Sequence, residues 1–555
     1  MKTMVQLKRQ GEGGFMLVIC LLLLLMLSLI GIASITTSNS DMKVSGNEIN
    51  QTGAFYAAES GLEQAAATIK SSYETTGNPP SPLPSGTTTE NGFQYSFRTT
   101  DNGAAVQTTL TDGAYKGLYG LVKSFNITSR GYDTDRESKI TLDMGIQDAL
   151  IPLFQFAVFY QYDLEIAPGP NMTLGGRVHS NQNTYLQAGN NLYINSYLTS
   201  AGNIYHGRKP GSGQSVDGGN VYIMDKSSVY ENMKNSSGTW LDASSADWVN
   251  SSLSRWDGNV EDHNHGITEL YMPVVTDGPS TDLIDRAAGN SDSYENKAGL
   301  KLVDGQAYYL QANGTWINVT ATLTTAGAIK STSFYDGRES RTVASLDIDI
   351  ALLNSSGYYP LNGVIYGSVS TTGSNMPAIR LKNGSSLPAA LTVATNNPMY
   401  TVGNFNTTNK KPAALLCDAL TILSGSWDDS KSTQTLSNRV ATNTQVNACY
   451  MTGNTETGAN GQGYSGGLEN LPRFLEKWDG VTFTWKGSAV DLWYSRIATG
   501  AWSYGNVYTA PNRDWAFDPD LLNVNKLPPG TPLVNVVQRT QWSQRIGEDD
   551  SSSDN

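Results

Sequence analysis

The distribution of apolar residues divides the chain into an N-terminal rod and a long remainder built from short segments. From Phe15 to Ile35 no charged residue interrupts the apolar run. At 1.5 Å per residue, a helix of this length extends about 31 Å, which matches the hydrocarbon core of a bilayer. Residues 15–35 are therefore predicted to form a transmembrane helix.

After residue 35 the pattern becomes amphipathic, and residues 36–76 are predicted to continue the helix. The polar stretch 36–52 contains scattered apolar residues and two glycines, so we expect a weak or partly melted helix there. Apolar residues then recur at spacings of three and four, as on one helix face: Phe55, Ala58, Leu62, Ala65 and Ile69.

Beyond residue 76 the pattern is typical of β-strands, so the fold class is mainly β with a long N-terminal helix. Residues 77–150 contain a Pro- and Gly-rich linker and three alternating segments, which predict a small antiparallel sheet. From 151 to 545 the strands are very short, and turn signals recur every eight to ten residues. This spacing suits a sandwich or the stacked coils of a solenoid.

We favour a parallel β-helix for 151–545, with insertions around 225–360, although no strict period is visible. Asn residues at the predicted corners can adopt left-handed backbone angles and stack in ladders; they are Asn181, Asn190, Asn191 and Asn203. Residues 546–555 are acidic and lack a hydrophobic cluster, which predicts a disordered tail.

Charge and motifs exclude several functions. The formal net charge is −13, which argues against a nucleic-acid partner. The sequence contains no Walker A or H-E-x-x-H motif, and the G-x-G-x-x-G at Gly461, Gly463 and Gly466 follows no βαβ unit. We therefore expect no cofactor and no enzymatic activity.

Two residue pairs remain as candidate chemistry. His263 and His265 would share one face of an extended strand and are weak metal candidates, but no further ligand stands at a recognisable spacing. A polar loop is the favoured interpretation. Cys417 and Cys449 lie in apolar strands, where either a disulfide or two buried thiols is compatible with the sequence.

Carboxylates are the groups that a glycan-active β-helix enzyme would need. Asp347, Asp349 and Asp418 lie on or beside predicted strands, but the sequence does not bring them together. Solvated strand charges are the favoured interpretation.

The N-terminus resembles a type IV prepilin. A short basic leader ends in Gly14, Phe15 follows, and the apolar helix then becomes amphipathic. The run "TTSNSDMKVSGNEINQTGAFYAAESGLEQA" is similar to the PilX-type minor pilins and pseudopilins. The resemblance implies that prepilin peptidase removes residues 1–14, that Phe15 becomes methylated, and that other pilins bind the N-terminal helix.

The same resemblance implies a location. Lys2, Lys8 and Arg9 precede the apolar run and no basic residue follows until Lys43, so the positive-inside rule leaves the leader in the cytoplasm. We expect a single-pass protein of the bacterial inner membrane. Most of its chain would be exported to the periplasmic side, and the protein would later be found in the pilus at the cell surface.

One position departs from the family pattern. Major pilins carry Glu at the fifth mature position, where it neutralises the N-terminal amine of a neighbouring subunit; this chain has Ile19. A subunit at the tip has no neighbour above it whose amine needs a partner. Ile19 therefore indicates a tip or initiation subunit, unless PilX-type members simply vary here. Such a subunit could display its β domain to a carbohydrate or another cell-surface ligand.

Two other functions stay open. One is a glycan-active enzyme that uses a pilin signal for export. The other is a Sec-exported structural surface protein, either anchored by the apolar helix or cut near Ala33.

The mature N-terminus separates the pilin interpretation from Sec export with cleavage. We expect N-terminal sequencing and mass spectrometry of the purified protein to find a methylated Phe15. A chain that begins near Ser34 would contradict the pilin interpretation.

Overall fold

The computed structural model describes residues 13–133, 139–272, 279–286, 292–370, 373–459 and 463–546. They form two compact units. The N-terminal unit comprises the described residues of Met1–Ala104, Ser124–Gln147 and Gln538–Asn555. The β domain comprises those of Ala105–Lys123 and Asp148–Val537.

The N-terminal unit contains one long helix, α1 (Gly13–Thr76). It is continuous, so the expectation of a partly melted stretch at 36–52 is corrected. Once the flanking segments are helical, each added residue gains a backbone hydrogen bond without a new nucleation cost. The hydroxyl of Thr36 adds bonds of 2.9 Å to the carbonyl oxygens of Ile32 and Ala33.

Residues Ala58, Leu62, Ala65 and Ile69 of the predicted stripe are buried against the sheet of this unit. The sheet order is β1-β2-β4-β5-β34, and β3 pairs with β4. These strands are β1 (Ser85–Glu90), β2 (Phe93–Asp101), β4 (Tyr119–Tyr132), β5 (Lys139–Pro152) and β34 (Leu533–Ile546), whereas β3 (Val106–Thr109) lies in the segment Ala105–Lys123 of the β domain.

Small residues let the helix approach the sheet closely. A Cβ atom on Gly131 would lie 1.8 Å from the carbonyl oxygen of Ala54, so only glycine fits there without a backbone shift. Phe55 is half-buried, and its ring lies 6.3 Å from that of Trp542 on β34. The helix is thus fixed by direct backbone contact as well as by apolar side chains.

The last strand differs from the sequence-based boundaries. The sequence predicts an exported domain over 151–545, whereas Gln538–Ile546 belong to the N-terminal unit, beside β5. A strand's partner is set by long-range pairing, which its local pattern does not encode. Of the expected acidic tail, residues 547–555 lie outside the described residues.

The β domain begins with short parallel strands whose spacing is regular. Val158, Val178 and Leu198 lie in one ladder, and Leu164, Thr184 and Ile204 in the next. The register therefore advances by 20 residues per layer, a period that the sequence analysis missed. The strands are β6 (Val158–Tyr160), β7 (Leu164–Ile166), β8 (Met172–Leu174), β9 (Val178–Ser180), β10 (Thr184–Leu186), β11 (Asn191–Ile194), β12 (Leu198–Ser200), β13 (Ile204–His206) and β14 (Asn220–Met224).

Side chains at the corners reinforce this repeat. The amide nitrogen of Asn203 donates to Oδ1 of Asn183 at 2.9 Å, and that of Asn183 donates to Oδ1 of Asp163 at 3.0 Å. Asn191 bonds to Asn171 in the same way at 3.1 Å. Each layer's turn is therefore bonded directly to the turn of the next layer.

The middle of the chain combines short helices with antiparallel and parallel strands. Its elements are β15 (Tyr230–Asn232), α2 (Trp248–Trp256), β16 (Val260–Glu261), α3 (Tyr294–Lys297), β17 (Leu300–Val303), β18 (Gln306–Leu310), β19 (Trp316–Asn318), α4 (Thr320–Thr325), β20 (Ile329–Asp336), β21 (Arg341–Asp349) and α5 (Ile350–Ser355).

The remaining strands complete the parallel stack. They are β22 (Val364–Ser368), β23 (Met376–Lys382), β24 (Leu391–Thr395), β25 (Met399–Val402), β26 (Ala413–Cys417), β27 (Leu420–Leu423), β28 (Thr444–Asn447), β29 (Cys449–Thr452), β30 (Pro472–Phe474), β31 (Thr482–Gly487), β32 (Ala489–Asp491) and β33 (Asn512–Phe517).

The largest sheet among the described residues has the order β16-β12-β9-β6-β32-β29-β26-β24-β22-β17-β18-β19. Strand β6 therefore lies between β9 and β32. The chain enters this sheet in the middle, extends it to one side, crosses over and returns from the other side.

Short 3-10 helices connect the layers. They lie at Leu153–Gln155, His263–His265, Ser280–Leu283, Asp429–Lys431, Leu436–Asn438, Leu468–Asn470, Pro519–Leu522 and Val524–Lys526.

Candidate functional site

The first half of α1 presents an apolar surface that nothing in the described structure covers. Its 18-residue window has a mean hydropathy of 3.1 and none of it is buried. Phe15 is 72% exposed and Ile35 is 62% exposed. Among the described residues, this helix is long and apolar enough to cross a bilayer. The surface must therefore be covered by lipid or by other apolar helices.

The residues of the predicted processing site lie at the start of this surface. Gly14 is exposed, and a Cβ atom added to it would meet no atom within 4 Å. Ile19 is 36% exposed on the same helix. No carboxylate occurs between Phe15 and Ser40. The apolar part of the helix therefore carries no negative charge that could pair with the N-terminal amine of a neighbouring subunit.

Cys417 and Cys449 are both buried free thiols. Of the two possibilities that the sequence left open, a disulfide or two buried thiols, the structure has the second. In the parallel register, Cys449 lies opposite Ala414, whereas Cys417 lies opposite Thr452. Cys449 and Thr452 are three positions apart on one strand, and side chains an odd number of positions apart point to opposite faces of a sheet. Since Cys417 lies opposite Thr452, the two cysteines point to opposite faces. They accordingly pack into different hydrophobic clusters and do not meet.

The pair His263 and His265 does not form the expected shared face, because the segment is a 3-10 turn rather than a strand. His265 is buried, and its Nδ1 lies 2.9 Å from Oδ1 of Asp262 while its Nε2 lies 2.5 Å from Oγ of Ser252. Both ring nitrogens are therefore occupied. His263 is exposed. No group of three or more His, Cys, Asp or Glu side chains that could hold a metal occurs in the described ranges.

The three carboxylates considered for catalysis have separate structural partners. Asp347 accepts two bonds from buried Arg380, at 2.8 and 2.6 Å. Asp349 caps α5 by accepting from the amide of Leu352 at 3.0 Å. Asp418 accepts from successive backbone amides, including that of Ala498 at 2.9 Å. Each group is thus committed to holding the fold.

The loop that contains the G-x-G-x-x-G pattern is only partly described, because Gly461 lies outside the described residues. A Cβ atom on Gly466 would lie 2.6 Å from the side chain of Asn470. This glycine is therefore required by close packing.

The sequence analysis missed a cluster of carboxylates that we call the acid cleft. It surrounds a cavity of about 20 Å³ and contains Asp163, Glu165, Glu456 and Asp491. Tyr162 and Tyr494 stack at its edge with ring centroids 4.3 Å apart. These residues come from distant parts of the sequence and follow no motif, so no sequence signal joins them.

Burial dominates the electrostatics around this cleft. It raises the pKa of Glu165 and raises that of Asp491 well above its ordinary range. Nearby, burial raises the pKa of Glu469 to about 7. Oε1 of Glu469 accepts from the amide of Ala167 at 2.5 Å, whereas its Oε2 has no partner among the described atoms.

Comparison with known proteins matches the N-terminal helix to one family. Residues 13–63 match the family model described as PilX N-terminal. The competence-associated pilin ComZ from Thermus thermophilus aligns over 90% of this chain and 98% of that chain, with 10% sequence identity and a TM-score of 0.28. A TM-score this low carries no argument. No curated protein sequence matches the chain.

The match to residues 13–63 identifies a PilX-type N-terminal segment, and this confirms the resemblance seen in the sequence. The uncovered apolar helix fits a pilin membrane anchor.

The raised pKa of Glu469 predicts how stability depends on pH. Its folded pKa of about 7 exceeds the ordinary value of 4.5, so its stabilising contribution is complete below the lower value and is lost as the pH rises through the higher one. We expect Glu469→Gln to increase the free energy of unfolding at about pH 8 by about 2 to 3 kcal/mol, with little effect at about pH 4.

Denaturant titrations at both pH values measure this difference. Glu269→Gln removes an exposed carboxylate and serves as the control. Equal pH dependence in the wild type and the Glu469→Gln variant would show that Glu469 is ionised in the folded protein at neutral pH.

Proposed function

We propose that the chain is a minor pilin that occupies the tip of its filament, takes part in pilus assembly or initiation, and displays its β domain for adhesion. The observation that carries the proposal is the uncovered apolar helix with Ile19 in place of a carboxylate. The helix supplies a means of joining other pilins, and the missing charge restricts where the subunit can be placed.

The apolar surface serves in two environments in succession. In the bacterial inner membrane, lipid tails cover residues 15–35 while the bulk of the protein is exported. In the filament, the N-terminal helices of other pilins replace the lipid. Because both surroundings are apolar, the transfer exposes little hydrocarbon to water at either end point.

Processing precedes this transfer. Prepilin peptidase would cleave between Gly14 and Phe15, and methylation of the new amine would follow. Gly14 is exposed and has open space around its Cα, which supports access by a protease.

Ile19 supports the tip position through the energetics of a buried amine. Within a filament core, an N-terminal ammonium needs a carboxylate from an adjacent subunit, because an unpaired buried charge is expensive. A subunit with Ile19 cannot provide that carboxylate. At the tip, no subunit above requires it.

We also propose that the β domain is a parallel β-helix whose outer surface binds a carbohydrate or another cell-surface ligand. The in-register parallel ladders and the repeat of 20 residues support this architecture. Stacked coils produce a long and repetitive outer surface, which suits extended ligands.

Binding is a better proposal than catalysis. The acid cleft contains buried carboxylates with raised pKa values, which a glycan-active enzyme would use. However, its cavity of about 20 Å³ accommodates a water molecule rather than a sugar ring.

Immunogold labelling of the β domain on sheared filaments tests the tip position. We expect wild-type label at one filament end. Ile19→Glu restores the carboxylate that a shaft subunit needs, so we expect part of the label to move to positions along the filament.

Ile19→Gln is the matched control, because it is polar and similar in size to Glu but carries no charge; its label should stay at the end. Wild-type label distributed evenly along filaments would contradict the tip position. Filaments without any label would contradict membership of the filament.

A further inference from the structure

The β domain contains a second and larger cavity, about 220 Å³ in volume, which we call the lysine cavity. Its charged lining residues come from separate segments of the chain. They are Lys410, Lys411, Lys486, Lys526, Asp518 and Asp520.

Several elements direct these side chains to one place. Lys410 and Lys411 precede β26, and Lys486 lies on β31. Asp518 caps the 3-10 helix Pro519–Leu522 by accepting from the backbone amide of Asp520. The charged groups are therefore positioned by regular structure rather than by a single flexible loop.

The carboxylates of Asp518 and Asp520 both form ion pairs with lysines. Lys410 contacts Asp518 and lies 2.9 Å from Oδ2 of Asp520. Nζ of Lys526 lies 2.8 Å from Oδ1 of Asp520, and Nζ of Lys486 lies 3.7 Å from Oδ1 of Asp518. Hydrogen bonds from Lys526 and Lys410 lower the pKa of Asp520 to about 2, so it remains ionised.

The cavity nevertheless has an excess of positive charge. The ammonium groups exceed the carboxylates by two, in a chain whose formal net charge is −13. Lys411 forms no ion pair with another residue in the described part of the chain. A concave site with this charge attracts an anion and concentrates it locally.

Volume and lining indicate the kind of anion. The cavity is much larger than the roughly 30 Å³ that one water molecule occupies in the liquid, and smaller than the roughly 300 to 1,000 Å³ of most drug-sized ligand sites. The side-chain amide of Asn447 also lines the cavity and offers a partner for a hydroxyl group. A single acidic sugar residue fits both the size and the polarity.

We propose that the lysine cavity binds one acidic sugar residue of a glycan, with Lys411 and Lys486 contacting its anionic group. This names the ligand class of the proposed adhesive domain and so rests on the adhesive function, but binding by the purified chain requires no filament.

Titration calorimetry on the full chain in detergent tests the site. The probes are tetragalacturonate, a sulfated heparin tetrasaccharide and a neutral galactose tetrasaccharide. We expect an acidic probe to bind and the neutral probe not to bind. Binding should weaken as ionic strength rises, because the contacts are ionic. Carboxylate and sulfate sources are distinguished by which acidic probe binds more tightly.

Variants locate the binding. Lys411→Gln and Lys486→Gln should each weaken binding about tenfold, the usual effect of losing one charge-assisted hydrogen bond. Lys477→Gln is the matched control. Its side chain is 43% exposed, compared with 40% for Lys486, and it lies outside the cavity. Asp520→Asn removes a negative charge and should tighten binding, a change that misfolding would not produce.

Equal affinity for neutral and acidic probes, or equal losses in Lys486→Gln and Lys477→Gln, would overturn the proposal. Glycan binding by the purified chain with no effect on cell attachment would leave the lysine cavity intact and contradict only the adhesive function. Cell attachment without glycan binding by the purified chain would contradict the proposed ligand of the lysine cavity and leave the adhesive function intact.

Discussion

The requirement to keep residues 15–35 out of water governs this protein. Each backbone group of the segment is satisfied within α1, so what remains exposed is hydrocarbon. Neither lipid nor a bundle of apolar helices needs to form hydrogen bonds with such a surface. The same residues can therefore anchor a monomer in a membrane and pack against other helices in a polymer. They lie within the segment 13–63 that matches the PilX N-terminal family model.

The β domain follows a different rule, because its strands are too short to be stable singly. Stacking in register gives an inner strand such as β9 partners on both sides and buries continuous rows such as Val158, Val178 and Leu198. Buried Arg380 in this stack is paired with Asp347. The lysine cavity contrasts with this pattern, since its positive groups outnumber their partners. Excess charge in a concave site is more useful for binding than for folding.

The sequence predicted what depends on local pattern and failed where long-range register decides. The run from Phe15 to Ile35 is continuous, so it predicted the helix and the family resemblance without knowledge of any contact. The repeat of 20 residues was missed, because the corner residues Asp163, Asn183 and Asn203 are not all of one type and insertions interrupt the series after it begins. The order of strands could not be read either, since β6 pairs with β32 from far along the chain. The acid cleft and the lysine cavity depend on that order and were equally invisible.

The accessibility of Cys20 measures the central claim most directly. Cys20 is the exposed thiol of the apolar helix, whereas Cys417 and Cys449 are buried and report only unfolding. A membrane-impermeant maleimide would be applied to membranes, to sheared filaments and to denatured protein. The account predicts that Cys20 is protected in membranes and in filaments and reacts after denaturation. Rapid labelling of Cys20 in either native setting, with the two buried thiols still unreactive, would contradict it.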